Sequence, residues 1–122
     1  MKKLLLKRAY DSPAPSDGFR ILVDRLWPRG VTKSAAQIDL WLKDVAPTTG
    51  LRKWFGHEPA KWIEFQARYR HELMENSEAV VQIFEKARHG VVTLVYAAKD
   101  MEHSHALVLK SYLEHTNMPD NT

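Results

Sequence analysis

The sequence predicts a single small three-layer-like α/β domain: a mostly parallel short sheet of about four strands with helices packed on it. Three observations carry this. Two short apolar runs, Ile21-Leu22-Val23 and Val91-Val92-Thr93-Leu94-Val95-Tyr96, are bounded by turn signals and read as buried strands. Between them, apolar residues recur at helical spacing, with Trp62, Phe65, Tyr69 and Leu73 the clearest case. Both runs end in charged loops, the usual way α/β folds build sites at strand carboxyl ends.

In chain order, Lys3 to Tyr10 reads as a strand centred on Leu4, Leu5 and Leu6. Ser12 to Gly18, with two prolines and a glycine, is a loop. It is too short for the crossover that a parallel neighbour needs. The first two strands therefore either pair antiparallel or have another strand between them. The second strand covers about Phe19 to Asp24, with Pro28 as its stop because proline has no N–H to give to a ladder. Gly30 frees the backbone to turn. Val31 to Ala36 has room for one helical turn. Ile38, Leu40 and Leu42 alternate as in a strand, whereas Ile38, Trp41, Leu42 and Val45 fit a helix; a short strand ending at Pro47 is preferred.

Thr48 or Thr49 caps a short helix over Leu51 to Phe55, closed by Gly56-His57. Pro59 opens the next helix, and Ser77 to Ala87 is another, stopped by Gly90. Val91 to Tyr96 is the central strand, and Ser104 caps a last helix with Ala106, Leu109, Tyr112 and Leu113 inward. Residues 1–117 then form one domain and Met118 to Thr122 a frayed polar tail.

With 122 residues, 44% hydrophobic and 27% charged, the composition is that of an ordinary soluble domain. No cysteine is present, which removes disulfides, thiolate zinc sites and thiol catalysis, and fits a reducing compartment. The apolar run Leu4–Leu6 breaks at Lys7-Arg8, short of a signal peptide, and nothing approaches a membrane span; a cytoplasmic protein is expected. A net charge of +3 and a pI near 9.2 favour anionic partners.

Two constellations carry chemistry. Asp24, Arg25, Trp27 and Arg29 place two guanidinium forks beside an aromatic wall, a receptor for phosphate, carboxylate or nucleobase. The plainer alternative pairs Asp24 with an arginine and packs Trp27. Tyr96, Lys99, Asp100 and His105 repeat the pattern at the end of the central strand and the start of the last helix, where free N–H groups suit an anion. There His105 is the acid/base candidate, favoured as neutral imidazole by the helix start. Parallel neighbours would bring both groups to one rim.

Two further patterns read better as structure. His103-x-His105 at a helix start points apart and lacks a third metal ligand. Arg52, Lys53, Trp54, Phe55 and His57, with Lys61 and Trp62, interleave bases and aromatics as nucleic-acid binders do, but core packing explains them better. No motif for nicotinamide, flavin, P-loop nucleotide or zinc is present, nor a Gly-x-Ser-x-Gly elbow. The cofactor therefore stays unknown.

The string Arg20 to Gly30 resembles the YeaO-like branch of the domain-of-unknown-function family 488. So do Asp39-x-Trp41-x-Lys43 with Ala46-Pro47, Leu51 to Phe55, Leu94 to Asp100 and His105 to Leu109, in order over about Lys7 to Leu113. The resemblance implies a compact α/β protein with charged motifs at strand ends and no established biochemical role. Longer relatives carry a Cys-His-Arg triplet at the start of the last helix, where this chain has Ser104-His105-Ala106. A thiolate mechanism therefore does not carry over.

The leading expectation is a domain that binds, and in one version transforms, a small anionic ligand. Arg25, Arg29 and Lys99 neutralise it, Asp24 orients Arg25 or acts as a base, and Trp27, Tyr96 and Asp100 complete the pocket with His105. A nucleic-acid module and a protein-interaction module without catalysis are the alternatives. Membrane association is not expected, and oligomeric state is not readable.

Overall fold

The computed structural model describes residues 3–116. Four parallel strands form one sheet: β1 (Lys3–Arg8), β2 (Phe19–Leu22), β3 (Leu40–Trp41) and β4 (Val91–Tyr96), in the order β1-β4-β2-β3. The last strand in sequence lies between the first two in space, pairing Leu5 with Thr93 on one side and Ile21 with Leu94 on the other. This resolves the short first loop: β1 and β2 are not paired, and the loop carries the chain past β4, which lies between them. The expected tail, Met118 to Thr122, lies outside the described residues.

Alternation splits the sheet into two faces. Leu4, Ile21, Val23, Val92, Leu94 and Tyr96 meet the main core. That core is supplied by α2 (Thr49–Phe55), α3 (Trp62–Glu75), α4 (Ser77–Ala87) and α5 (His105–His115). The other face, with Ala9, Leu22 and Val95, is covered by Trp27, Ile38 and Trp41. The one-turn α1 (Lys33–Ala36) and a 3-10 turn, Pro15–Asp17, complete that thinner layer. A buried charge network closes it: the Asp17 carboxylate lies 2.7 Å from Arg20 Nη1 and 3.0 Å from Lys7 Nζ. The other Arg20 nitrogens, Nε and Nη2, donate to the Ala36 carbonyl.

The helices form where the local chemistry dictates. Thr48 caps α2 by accepting from the Leu51 N–H, and Gly56, at φ 56°, ends it. Phe65, Tyr69 and Leu73 make the buried stripe of α3, and Val80, Ile83, Phe84 and Ala87 that of α4. Among the described residues no helix is long and apolar enough to cross a membrane.

The end of β2 differs from expectation. The regular strand stops at Leu22, six residues before Pro28; one more ladder bond follows, from Val23 N–H to the Val95 carbonyl. Next along, the Ala97 N–H donates to the Asp24 carboxylate at 2.9 Å, where continued pairing would offer a carbonyl. A side chain, not the proline, ends the ladder.

Candidate functional site

A cavity of about 430 Å³ opens at the carboxyl ends of the strands. That volume lies in the range of small-molecule sites. Asp24 to Arg29 line it from the segment after β2, Ala46 and Pro47 from that after β3, and Ala97 and Ala98 from that after β4. The end of α2 adds Arg52, Lys53, Phe55 and His57, α3 adds Phe65, and His103, Ser104 and His105 close it at the start of α5.

Asp24 and His105, from the two constellations, meet directly. The His105 Nε2–H donates to the Val23 carbonyl at 3.0 Å and lies 3.2 Å from Asp24 Oδ1. Both neighbours are acceptors, so Nε2 carries the proton. With Ala97 N–H on its other oxygen, Asp24 ties the ends of β2 and β4 to the start of α5. The Val23 carbonyl thus orients His105, Asp24 Oδ1 beside it is buried without a hydrogen-bond partner, and Arg25 is held by other groups. Tyr69 backs the imidazole edge-on at 6.0 Å between ring centroids. Its hydroxyl donates to the Val45 carbonyl, and complete burial holds it as a neutral phenol, well above its ordinary pKa, with Glu72 adding to the rise.

Arg25 is committed to structure. Its Nε and Nη2 donate to the carbonyls of Pro47 and Ala46, fixing the loop into α2 while it still lines the cavity. Trp27 forms a wall. Its indole N–H donates to the Val31 carbonyl at 2.6 Å, and its ring meets Trp41 edge-on at 5.5 Å. Arg29 is exposed at the mouth.

Tyr96, Lys99 and Asp100 lie outside the lining. Tyr96 turns into the helix-side core, where burial raises its hydroxyl above the ordinary value, against the opposing effect of Arg8 and with Asp11 adding. Lys99 and Asp100 are exposed on the loop beyond. The Asp100 carboxyl sits below its ordinary value, chiefly through its hydrogen bond to His103 and further through the Glu102 and His103 N–H groups, against a smaller opposing effect of desolvation. It builds the turn into α5. His103 is thereby engaged, and its ring also meets Trp62 edge-on at 5.2 Å. Among the described residues no group of three or more His, Cys, Asp or Glu could hold a metal ion.

The basic–aromatic stretch divides between core and cavity. Phe55 stacks on Phe65 at 4.5 Å and enters the core, as expected. Arg52 and Lys53 instead face the cavity, as does His57, held at φ 58°. Helical spacing gave a signal for Arg52 alone: with Leu51 and Phe55 inward, Arg52 falls beside that face, whereas Lys53 falls on the opposite side of the turn.

Ser104 occupies the N-cap position of α5 as expected, but its hydroxyl makes no capping bond. The residue is 2% exposed, and its Oγ has no hydrogen-bond partner. An orphaned buried hydroxyl costs about 1–3 kcal/mol. Ser104→Ala removes that cost without losing a cap, so it is expected to raise stability by about 1 kcal/mol, roughly 4 °C in melting temperature. A thermal melt decides, and a loss of stability would show that the hydroxyl is bonded in solution.

A strand-end cavity with a clamped imidazole and basic mouth defines the class: a small parallel α/β domain with a ligand-sized pocket. The chain belongs to the DUF488 family, in its YeaO-like branch. The matching family model is described as the Inactive DUF488-N3 subclade and covers residues 3–121. The chain is similar to Uncharacterized protein YeaO of Escherichia coli (strain K12), 42% identical over 107 residues, 88% of this chain and 93% of the relative. It is also similar to Uncharacterized protein Rv3073c of Mycobacterium tuberculosis (strain ATCC 25618 / H37Rv), 40% identical over 111 residues, 91% of this chain and 93% of the relative. No solved structure matches the chain.

Proposed function

We propose that the cavity binds a small anionic ligand bearing a phosphate or carboxylate, without turning it over. One observation carries this reading. Among the described residues, Arg29, Arg52 and Lys53 line the cavity with no carboxylate partner, while its lone carboxylate, Asp24, accepts from the Ala97 N–H through one oxygen and lies 3.2 Å from His105 Nε2 through the other. Like charges are gathered at one mouth at a cost that a bound anion would relieve. Arg52 and Lys53 also complement the carboxyl end of α2, which explains their presence on that turn but not that of Arg29 opposite.

Binding without turnover is favoured by two facts. The family description carries the word inactive. The position of the triplet cysteine holds Ser104, a buried hydroxyl with no base bonded to it.

The test is calorimetric titration of phosphate- and carboxylate-bearing compounds at low and moderate salt. A charge-assisted hydrogen bond contributes about 1.5–3 kcal/mol, so the double variant Arg29→Ala, Arg52→Ala is expected to bind at least about tenfold more weakly. Its melting temperature should fall by no more than a few degrees, because among the described residues neither side chain has a hydrogen-bond or ion-pair partner and Arg52 gives up only its complement to the end of α2. Unchanged affinity would remove the proposal. Affinity confined to polynucleotides and falling steeply with salt would replace it with a nucleic-acid role.

A further inference from the structure

Resting on that reading, we infer the ligand class: an aromatic anion of about mononucleotide size, its flat apolar body in the cavity and its charge at the mouth. Three observations combine. The cavity of about 430 Å³ is far larger than an inorganic anion needs. Apolar groups are interspersed with the basic residues in its lining: Leu26, Trp27, Pro28, Phe55, Ala97 and Ala98 all contribute. Leu26 is 65% exposed and packs in neither core cluster, so its side chain is free to contact a molecule in the cavity it lines. An apolar side chain left in water beside a basic mouth suits a ligand with one apolar and one charged end.

Charge placement fixes the orientation. Asp24 is partly buried in the wall, whereas Arg29, Arg52 and Lys53 are exposed. An anion driven inward would meet the carboxylate; one held at the mouth meets only cations. The body therefore enters first, between Trp27 and the Ala97-Ala98 turn. Trp27 packs edge-on against Trp41, and its indole N–H is tied to the Val31 carbonyl, so the wall is preformed.

The experiment titrates the protein with five probes: AMP, phenyl phosphate, adenosine, ribose 5-phosphate and inorganic phosphate. The aromatic anions are expected to bind at least about tenfold more tightly than ribose 5-phosphate or inorganic phosphate, since burying a ring adds what the charge alone does not. Binding of AMP but not phenyl phosphate supports the inference and identifies the aromatic group as part of a nucleotide; binding of both supports it in the general form. Leu26→Ser is an exposed change that leaves folding intact. It should weaken the aromatic anions by about fivefold and leave ribose 5-phosphate unaffected. Equal affinity for ribose 5-phosphate and AMP overturns the inference while the anion reading stands. Equal affinity for adenosine and AMP overturns the anion reading itself. No affinity for either aromatic anion overturns the inference, and any remaining inorganic phosphate binding then keeps the broader reading.

Discussion

Gly18→Ala is expected to destabilise the protein by more than about 3 kcal/mol, a large effect for one added methyl group. Gly18 has φ 65° and ψ −133°, a region essentially closed to L-residues. A Cβ there would lie 2.3 Å from the Val91 carbonyl oxygen and 2.9 Å from the Val91 Cβ. The obstacle is the backbone at the start of the central strand, which cannot swing aside as a side chain could. Gly30 is the control. Its φ is also positive, at 79°, but nothing lies within 4 Å of the added atom. Gly30→Ala should therefore cost only the conformational penalty, about 1 kcal/mol. Denaturant melts of the two variants separate the effects, and equal losses would mean that the contact at Gly18 does not exist in solution.

Arg20→Ala should cost about 3–5 kcal/mol, roughly 12–20 °C in melting temperature. Arg20 is 3% exposed, and its guanidinium joins the Asp17 carboxylate to the Ala36 carbonyl. Its removal leaves a buried carboxylate short of one partner and a buried carbonyl short of two donors. Removing both charges should hurt less: Asp17→Leu with Arg20→Met leaves no buried charge unpaired, since the Lys7 side chain is 23% exposed and can turn to water, and only the neutral Ala36 carbonyl and Ala14 N–H lose their partners. A double variant less stable than Arg20→Ala would contradict this account. The pair also sets an acid limit. Burial alone would raise the Asp17 carboxyl, but hydrogen bonds from the Ala14 N–H, Lys7 and Arg20 outweigh it and hold it below its ordinary value of 3.8. A depressed carboxyl stabilises the fold above its unfolded value, and that contribution disappears as pH falls through the folded value. The loss should therefore appear below about pH 4 and be absent from Asp17→Asn.

This network lies on the face opposite the main helices, yet it bears on the site. It anchors β2 at its start, and the same strand delivers Asp24 at its end, so on the proposed anion-binding reading Arg20→Ala should also weaken binding in the calorimetric titration without touching the cavity.

Local chemistry alone determined much of the molecule. The β-branched run at Val91–Tyr96 fixed a central strand, because side chains apolar on both faces are stable only between neighbours. Helical spacing fixed the inner faces of α3 and α4, and Thr48 and Gly56 fixed the ends of α2. The charge cluster after Val23 marked the strand end where the cavity opens, since a buried strand can release charge only where it leaves the core.

Tertiary structure decided the rest, through contacts between residues far apart in sequence. Only insertion of β4 between β1 and β2 brings Asp24 within 3.2 Å of His105, 81 positions away. Only the packing of α2 and the 46–47 loop shows that Arg25 is spent on carbonyls while Arg52 and Lys53 take the free positions at the mouth. A sequence states which charges are present. Which of them find partners depends on the path of the whole chain, and it is the unpartnered ones that remain for a ligand.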